Sequence, residues 1–133
     1  MPNAANPKTL GRYELLFLLG QGGMGEVHLA RLTGAGGFEK LCIVKTILPQ
    51  MNNDPQFVDR FHHEARILVQ LNHANIAQVY DMGNVDNTLY MAIEYVPGVD
   101  LGRVFDRTLR ATSQVPISVA LLIGQRLTEA LGY

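Results

Sequence analysis

The feature that most constrains this chain is a run of glycines set between two stretches that read as strands, Leu19-Gly20-Gln21-Gly22-Gly23-Met24-Gly25-Glu26-Val27. Before it, Leu15-Leu16-Phe17-Leu18-Leu19 is the continuous apolar run of a buried strand; after it, Val27-His28-Leu29-Ala30 alternates with period two. Glycines at 20, 22, 23 and 25 remove the Cβ atoms that hold a backbone away from a ligand, and they permit positive φ. The natural ligand of such a flap of bare N–H groups is a phosphate chain. The same spacing also marks ordinary hairpin loops and the dinucleotide-binding turn. In the dinucleotide turn the third glycine opens a helix, with an acidic residue about 20 positions on. Here Glu26 to Arg31 keeps period two and Thr33-Gly34-Ala35-Gly36-Gly37 breaks the chain, so no helix begins there. The motif alone leaves a nucleotide cover and a plain structural hairpin both open, and sets a dinucleotide oxidoreductase aside.

At 133 residues and 47% hydrophobic, the chain is long enough for one small domain with a core. A net charge of -1 without a basic run gives no reason to expect nucleic acid or an anionic membrane as partner. The single Cys42 excludes an internal disulfide framework and fits a reducing, cytoplasmic compartment. Residues 1–12 read as a flexible polar tail without the apolar core of a signal peptide, and the longest apolar stretch, Val119 to Ile123, is far short of the ~20 residues of a membrane span.

Beyond the first hairpin, Leu41 to Ile47 is a β-branched run, apolar except for Lys45 and Thr46. Asp54-Pro55 supplies an N-cap followed by proline, and Phe57, Phe61, Leu68 and Leu71 then recur at helical spacing. Glu64 falls on that same stripe. A lysine in an apolar strand and a carboxylate on an apolar helix face are two anomalies that pairing would cancel; as a buried pair, losing either partner typically costs ~3–5 kcal/mol. The alternative is two side chains in water at the sheet edge. Ile76 to Met82 and Leu89 to Tyr95 read as strands joined by a turn at Gly83 to Asn87, and Val96-Pro97-Gly98 ends the sheet. Leu101 to Leu109 reads as a helix. The last helix, from Pro116 to Ser118 onward, is apolar on most sides and so suited to the inside of a larger body.

This order of glycine flap, lysine strand, glutamate helix, two strands and Pro-Gly hinge resembles the amino-terminal lobe of the eukaryotic-type protein kinases, and GQGGMGEVHLA is most similar to the bacterial serine/threonine members. The resemblance covers Tyr13 to Tyr133. It implies an α+β fold: a five-stranded antiparallel sheet with one regulatory helix at 13–98, then the first helices of an incomplete carboxy-terminal lobe at 99–133. It implies ATP as the bound nucleotide, with Mg2+ only in the complete enzyme, and transfer of the γ-phosphoryl to serine or threonine hydroxyls of a protein substrate. Carried over residue by residue, Lys45 contacts the α- and β-phosphates and Glu64 holds Lys45. Gly20, Gln21, Gly22, Gly23, Met24, Gly25 and Glu26 form the phosphate cover, while Leu19 and Val27 cover adenine. Ile93 closes the back of the pocket, Glu94 and Val96 offer backbone groups to the adenine edge, and Asp100 matches the ribose-binding acid. Leu68 and Val79 match a hydrophobic spine.

The chain departs from the family pattern at Ile43, where alanine usually faces adenine, and at Ala74, where proline is frequent. No part of these 133 residues matches the His-Arg-Asp loop, the Asp-Phe-Gly site, the activation segment or the Ala-Pro-Glu motif. Those elements bring the base and the metal ligands. This polypeptide is therefore expected to hold nucleotide without turning over, as a kinase truncated before its catalytic loop. A non-catalytic interaction module using the apolar last helix is the alternative. His62, His63 and His73 read as solvent-facing and not as metal ligands, because adjacent helical residues point about 100° apart. His28 reads as an exposed strand residue and Cys42 as packing.

Overall fold

The structure, a computed structural model, describes residues 8–133 apart from Met24 and Ser113. It divides into two units, one running to Asn72 and from Ala77 to Tyr95, the other comprising His73–Ile76 and Val96–Tyr133.

The first unit is a six-stranded antiparallel sheet with one long helix. Its strands are β1 (Lys8–Leu10), β2 (Tyr13–Gly22), β3 (Gly25–Thr33), β4 (Glu39–Ile47), β5 (Val79–Val85) and β6 (Thr88–Glu94), in the order β1-β2-β3-β4-β6-β5. That is one strand more than expected. The extra one, β1, falls in the stretch read as a flexible tail: Gly11, at φ +56°, turns the chain so that Leu10 pairs with Tyr13 and Lys8 with Leu15. Leu10 is then buried, which gives this short polar segment its hold. The β5–β6 hairpin also differs from expectation. β5 starts at Val79 and continues through Gly83-Asn84-Val85, leaving only Asp86 and Asn87, at φ +49° and +61°, as the turn. Two left-handed residues give the turn whose twist matches the flanking strands.

Apolar residues cover both faces of the sheet. On one, Leu10, Tyr13, Leu15, Ala30, Cys42, Val44, Tyr90 and Ala92 form a cluster. Within it Tyr13 and Tyr90 meet edge to face at 5.6 Å, and both phenols donate to one Asp81 oxygen, at 2.9 and 3.0 Å. Burial, with the Asp81 carboxylate adding to it and Arg12 working against it, leaves the Tyr13 hydroxyl pushed up to about 12. The other face carries helix α1 (Pro55–Gln70), whose Ala65 packs with Val79 and Met91 beside Phe61, Met82 and Ile93. Asp54 caps α1 as its sequence suggests, one carboxylate oxygen accepting from the Gln56 and Phe57 N–H groups at 3.0 and 3.3 Å.

The second unit holds helices α2 (Leu101–Thr112) and α3 (Ile117–Leu131). The Asn75 side-chain amide donates to the Arg126 carbonyl at 3.0 Å and to Glu129 at 3.1 Å, and the His73 and Tyr133 rings meet at a tilt with centroids 5.3 Å apart, so the short loop His73–Ile76 belongs with α3. No residue of α3 is buried; Ile117, Leu121, Leu122, Leu127 and Leu131 are all more than half exposed. No helix formed by described residues is long and apolar enough to cross a membrane.

Candidate functional site

Strand register builds the site. Residues directly opposite one another in antiparallel strands share a face. One row across the sheet is Gly20, Val27, Lys45, Met91 and Met82; the next is Phe17, Leu29, Ile43, Ile93 and Val79. Lys45 thus lies on the face of Val27, directly across from Gly20 of the flap by way of β3. Ile43, the bulkier replacement for alanine, stands between Leu29 and Ile93. Two bulges, at Leu15/Phe17 and Leu18/Gly20, interrupt the β2–β3 ladder just before the flap. Leu19 sits in the second bulge without a cross-strand partner and is 56% exposed.

The flap glycines fall into two kinds. Gly25 faces β4 so closely that a Cβ there would lie 1.8 Å from the Thr46 carbonyl oxygen. The fold itself demands glycine at that position. At Gly20, Gly22 and Gly23 a Cβ would meet nothing within 4 Å, and none of the three has a positive φ. Neither conformation nor packing inside the protein calls for glycine there, so the dihedral freedom inferred from sequence is not what they use. Open space over these three glycines fits a ligand lying against the backbone. Met24, placed in the flap by sequence, lies outside the described residues.

Lys45 and Glu64 line one cavity of 540 Å3 between the sheet and α1, together with Phe61, Leu68, Met91 and Ile93. The α1 stripe drawn from sequence therefore faces the site, although its buried contact is Ala65, a residue the spacing argument passed over. Both Lys45 and Glu64 are exposed, and no ion pair joins them within 4.0 Å among the described residues. This corrects the premise of a buried pair: Lys45 is exposed at an open cavity, so the penalty for breaking a desolvated ion pair does not apply here. Arg60, four residues before Glu64 and so on the same helix face, adds a second cation to the cavity wall. Its i, i+4 relation to Glu64 was legible in the sequence.

The remaining site candidates distribute as follows. The Glu26 carboxylate turns to the opposite face from Lys45, 3.4 Å from His28 Nε2 and 3.9 Å from Lys8 Nζ, so only its backbone is on offer to a ligand in the flap. Gln21 is opposite Glu26 and shares that face. His28 is 7% exposed with an unpartnered Nδ1, correcting the expectation of an exposed imidazole; burial pushes its pKa below the ordinary value, Glu26 works against that shift, and Lys8 adds to it. Glu94 closes the sheet: its backbone N–H donates to the Gln78 carbonyl at 2.8 Å and its carboxylate accepts from the Gln78 N–H at 3.0 Å. Val96 is 63% exposed. Asp100 caps α2, accepting from the Arg103 N–H at 2.9 Å. Val79 is buried, while Leu68 is 37% exposed on the cavity wall. Cys42 is a free, buried thiol whose pKa burial raises, as packing requires. Among the described residues no three His, Cys, Asp or Glu side chains gather as a metal site.

The family model for protein tyrosine and serine/threonine kinases matches residues 13–133. Tyrosine-protein kinase MasK of Myxococcus xanthus is 38% identical over 113 residues, covering 85% of this chain and 18% of the relative. Serine/threonine-protein kinase PksC of Streptomyces coelicolor is 37% identical over 125 residues, covering 91% and 22%. The crystal structure of the Mycobacterium tuberculosis PknI kinase domain superimposes with a TM-score of 0.74 at 31% identity, covering 96% of this chain and 49% of that one. The chain spans about half of that solved domain and about a fifth of the two curated relatives.

Proposed function

Because this chain belongs to the protein tyrosine and serine/threonine kinase family, we propose that it is the part of a serine/threonine kinase that holds the triphosphate of ATP. The observation that carries the reading is the contrast within the flap: Gly25 is required by β4, whereas Gly20, Gly22 and Gly23 leave bare backbone facing open space, with Gly20 in register with Lys45 through Val27. Backbone N–H groups of the flap donate to phosphate oxygens, and Lys45 places its ammonium on the α- and β-phosphates. Glu64, on the wall of the same cavity, orients Lys45 when nucleotide draws the side chain inward. Leu19, Val27, Ile43 and Ile93 supply apolar contact to the base, with backbone groups of Glu94 and Val96 at its edge and Asp100 at the ribose. Bound ATP brings the transferable γ-phosphoryl; the residues here bind and orient it, and no base or Mg2+ ligand is assigned to them.

Calorimetric titration of the chain with ATP and with NAD tests this. ATP should bind in preference, and Lys45→Met should weaken it by about tenfold or more, the size of one charge-assisted contact. Preference for NAD, or ATP affinity indifferent to Lys45, would contradict it. Incubated with ATP and a protein substrate, the polypeptide should leave the substrate unphosphorylated; label transferred by homogeneous protein would refute that. A second reading, a non-catalytic interaction module, is favoured by the exposed apolar side chains of α3. It predicts self-association or partner binding that Leu121→Glu abolishes while ATP binding persists.

A further inference from the structure

Helix α2 carries Arg103, Arg107 and Arg110, three of the chain's 11 cationic side chains. At spacings of four and three they form one stripe, and with Val99 and Asp106 they line a groove of 320 Å3. Like charges at these spacings repel along a helix. Arg103 is also a cation in the first turn, against the helix dipole, and that turn holds no acidic residue. Its guanidinium pairs with Asp100 at 3.4 Å. Among the described residues neither Arg107 nor Arg110 has an ion-pair partner within 4.0 Å. The local excess of positive charge does not reflect the chain as a whole, whose net charge is -1. Arg110 suits the last turn and Asp106 stands one turn from both Arg103 and Arg110, but the exposed guanidinium groups of Arg107 and Arg110, without an ion-pair partner among the described residues, repel one another, a repulsion that an anionic partner would offset.

We propose that this stripe is a docking surface for an acidic peptide segment of a partner protein. Successive arginines lie roughly 4.5–6 Å apart along the axis at 1.5 Å per residue. Alternate side chains of an extended peptide are spaced about 6.6 Å apart, close to the ~6 Å from Arg103 to Arg107 and about 2 Å more than the ~4.5 Å from Arg107 to Arg110, a difference the flexible arginine side chains take up. Guanidinium groups take carboxylates bidentately, which gives direction as well as charge. Val99, 58% exposed at the groove, offers an apolar contact for one intervening side chain. No exposed aromatic ring lines the groove for bases to stack on, which favours peptide over single-stranded nucleic acid.

The test is fluorescence anisotropy on the whole chain with a labelled octapeptide of alternating Glu and Ser. The probe should bind, weaken with added salt, and lose about tenfold in affinity for Arg107→Glu/Arg110→Glu and several-fold for Arg107→Gln/Arg110→Gln. The same peptide with Gln for Glu should not bind. ATP titration of each variant should be unchanged, which separates failure here from failure of the nucleotide site. Equal binding of the Gln peptide, indifference to both double variants, no binding at millimolar peptide, or tighter binding of an oligo-dT strand than of the peptide would overturn the proposal.

Discussion

Gly22 and Gly25 are indistinguishable in the sequence motif and opposite in the structure. Gly25→Ala drives a methyl into the Thr46 carbonyl and should cost about 1–3 kcal/mol, read as a loss of thermal stability. Gly22→Ala meets nothing and should leave stability within about 0.5 kcal/mol while weakening ATP binding. Equal destabilisation by the two would contradict the division of the flap. His28 makes a second residue-scale prediction. Its folded pKa lies below its ordinary value of 6.5, so the unfolded chain takes up the proton first and acid favours unfolding. The stability this contributes is full above about pH 6.5 and is lost as pH falls through the lowered folded value. Denaturant midpoints measured from pH 7.5 to 5 should fall less steeply for His28→Gln than for the parent; parallel slopes would show that His28 does not titrate in this way. The sequence hid this residue because alternation assigns Val27 and Leu29 inward and therefore His28 outward. In the structure the packed side of β3 is the one carrying His28 and Ala30, while Val27 and Leu29 are only half-buried, so the apolar alternation points to the more open face.

At the scale of elements, Asp81 ties β2, β5 and β6 together. It accepts from Tyr13 and Tyr90 and pairs with Arg12 at 3.2 Å. Asp81→Ala should cost about 1–3 kcal/mol, because it strips the acceptor from two largely buried phenols; a Tyr13→Phe/Tyr90→Phe background should absorb most of that loss. If the loss is undiminished in that background, the network does not account for it. The strand–flap–strand order, the Asp54 cap and the inward stripe of α1 were all legible in the sequence, since each rests on local spacing. β1 was not, because a three-residue polar strand is held by Leu10 burial and Tyr13 pairing, both settled only once the sheet exists. The Lys45–Glu64 relation was legible as a shared site and misread as a buried pair. Apolar neighbours along β4 say which residues flank Lys45, not how open the space in front of it is.

For the whole molecule, the central claim is that a sheet of this register, with its flap bare at Gly20, Gly22 and Gly23, holds a triphosphate against Lys45. The most direct measurement is an amide-resolved NMR titration of the 15N-labelled chain with ATP. The account predicts saturable shifts at Gly20, Gln21, Gly22, Gly23 and Gly25 and along Val27 and Lys45, with α2 little changed beyond Asp100 and the flap shifts much reduced in Lys45→Met. Shifts absent from the flap, or concentrated on α3 while the flap stays silent, would contradict it.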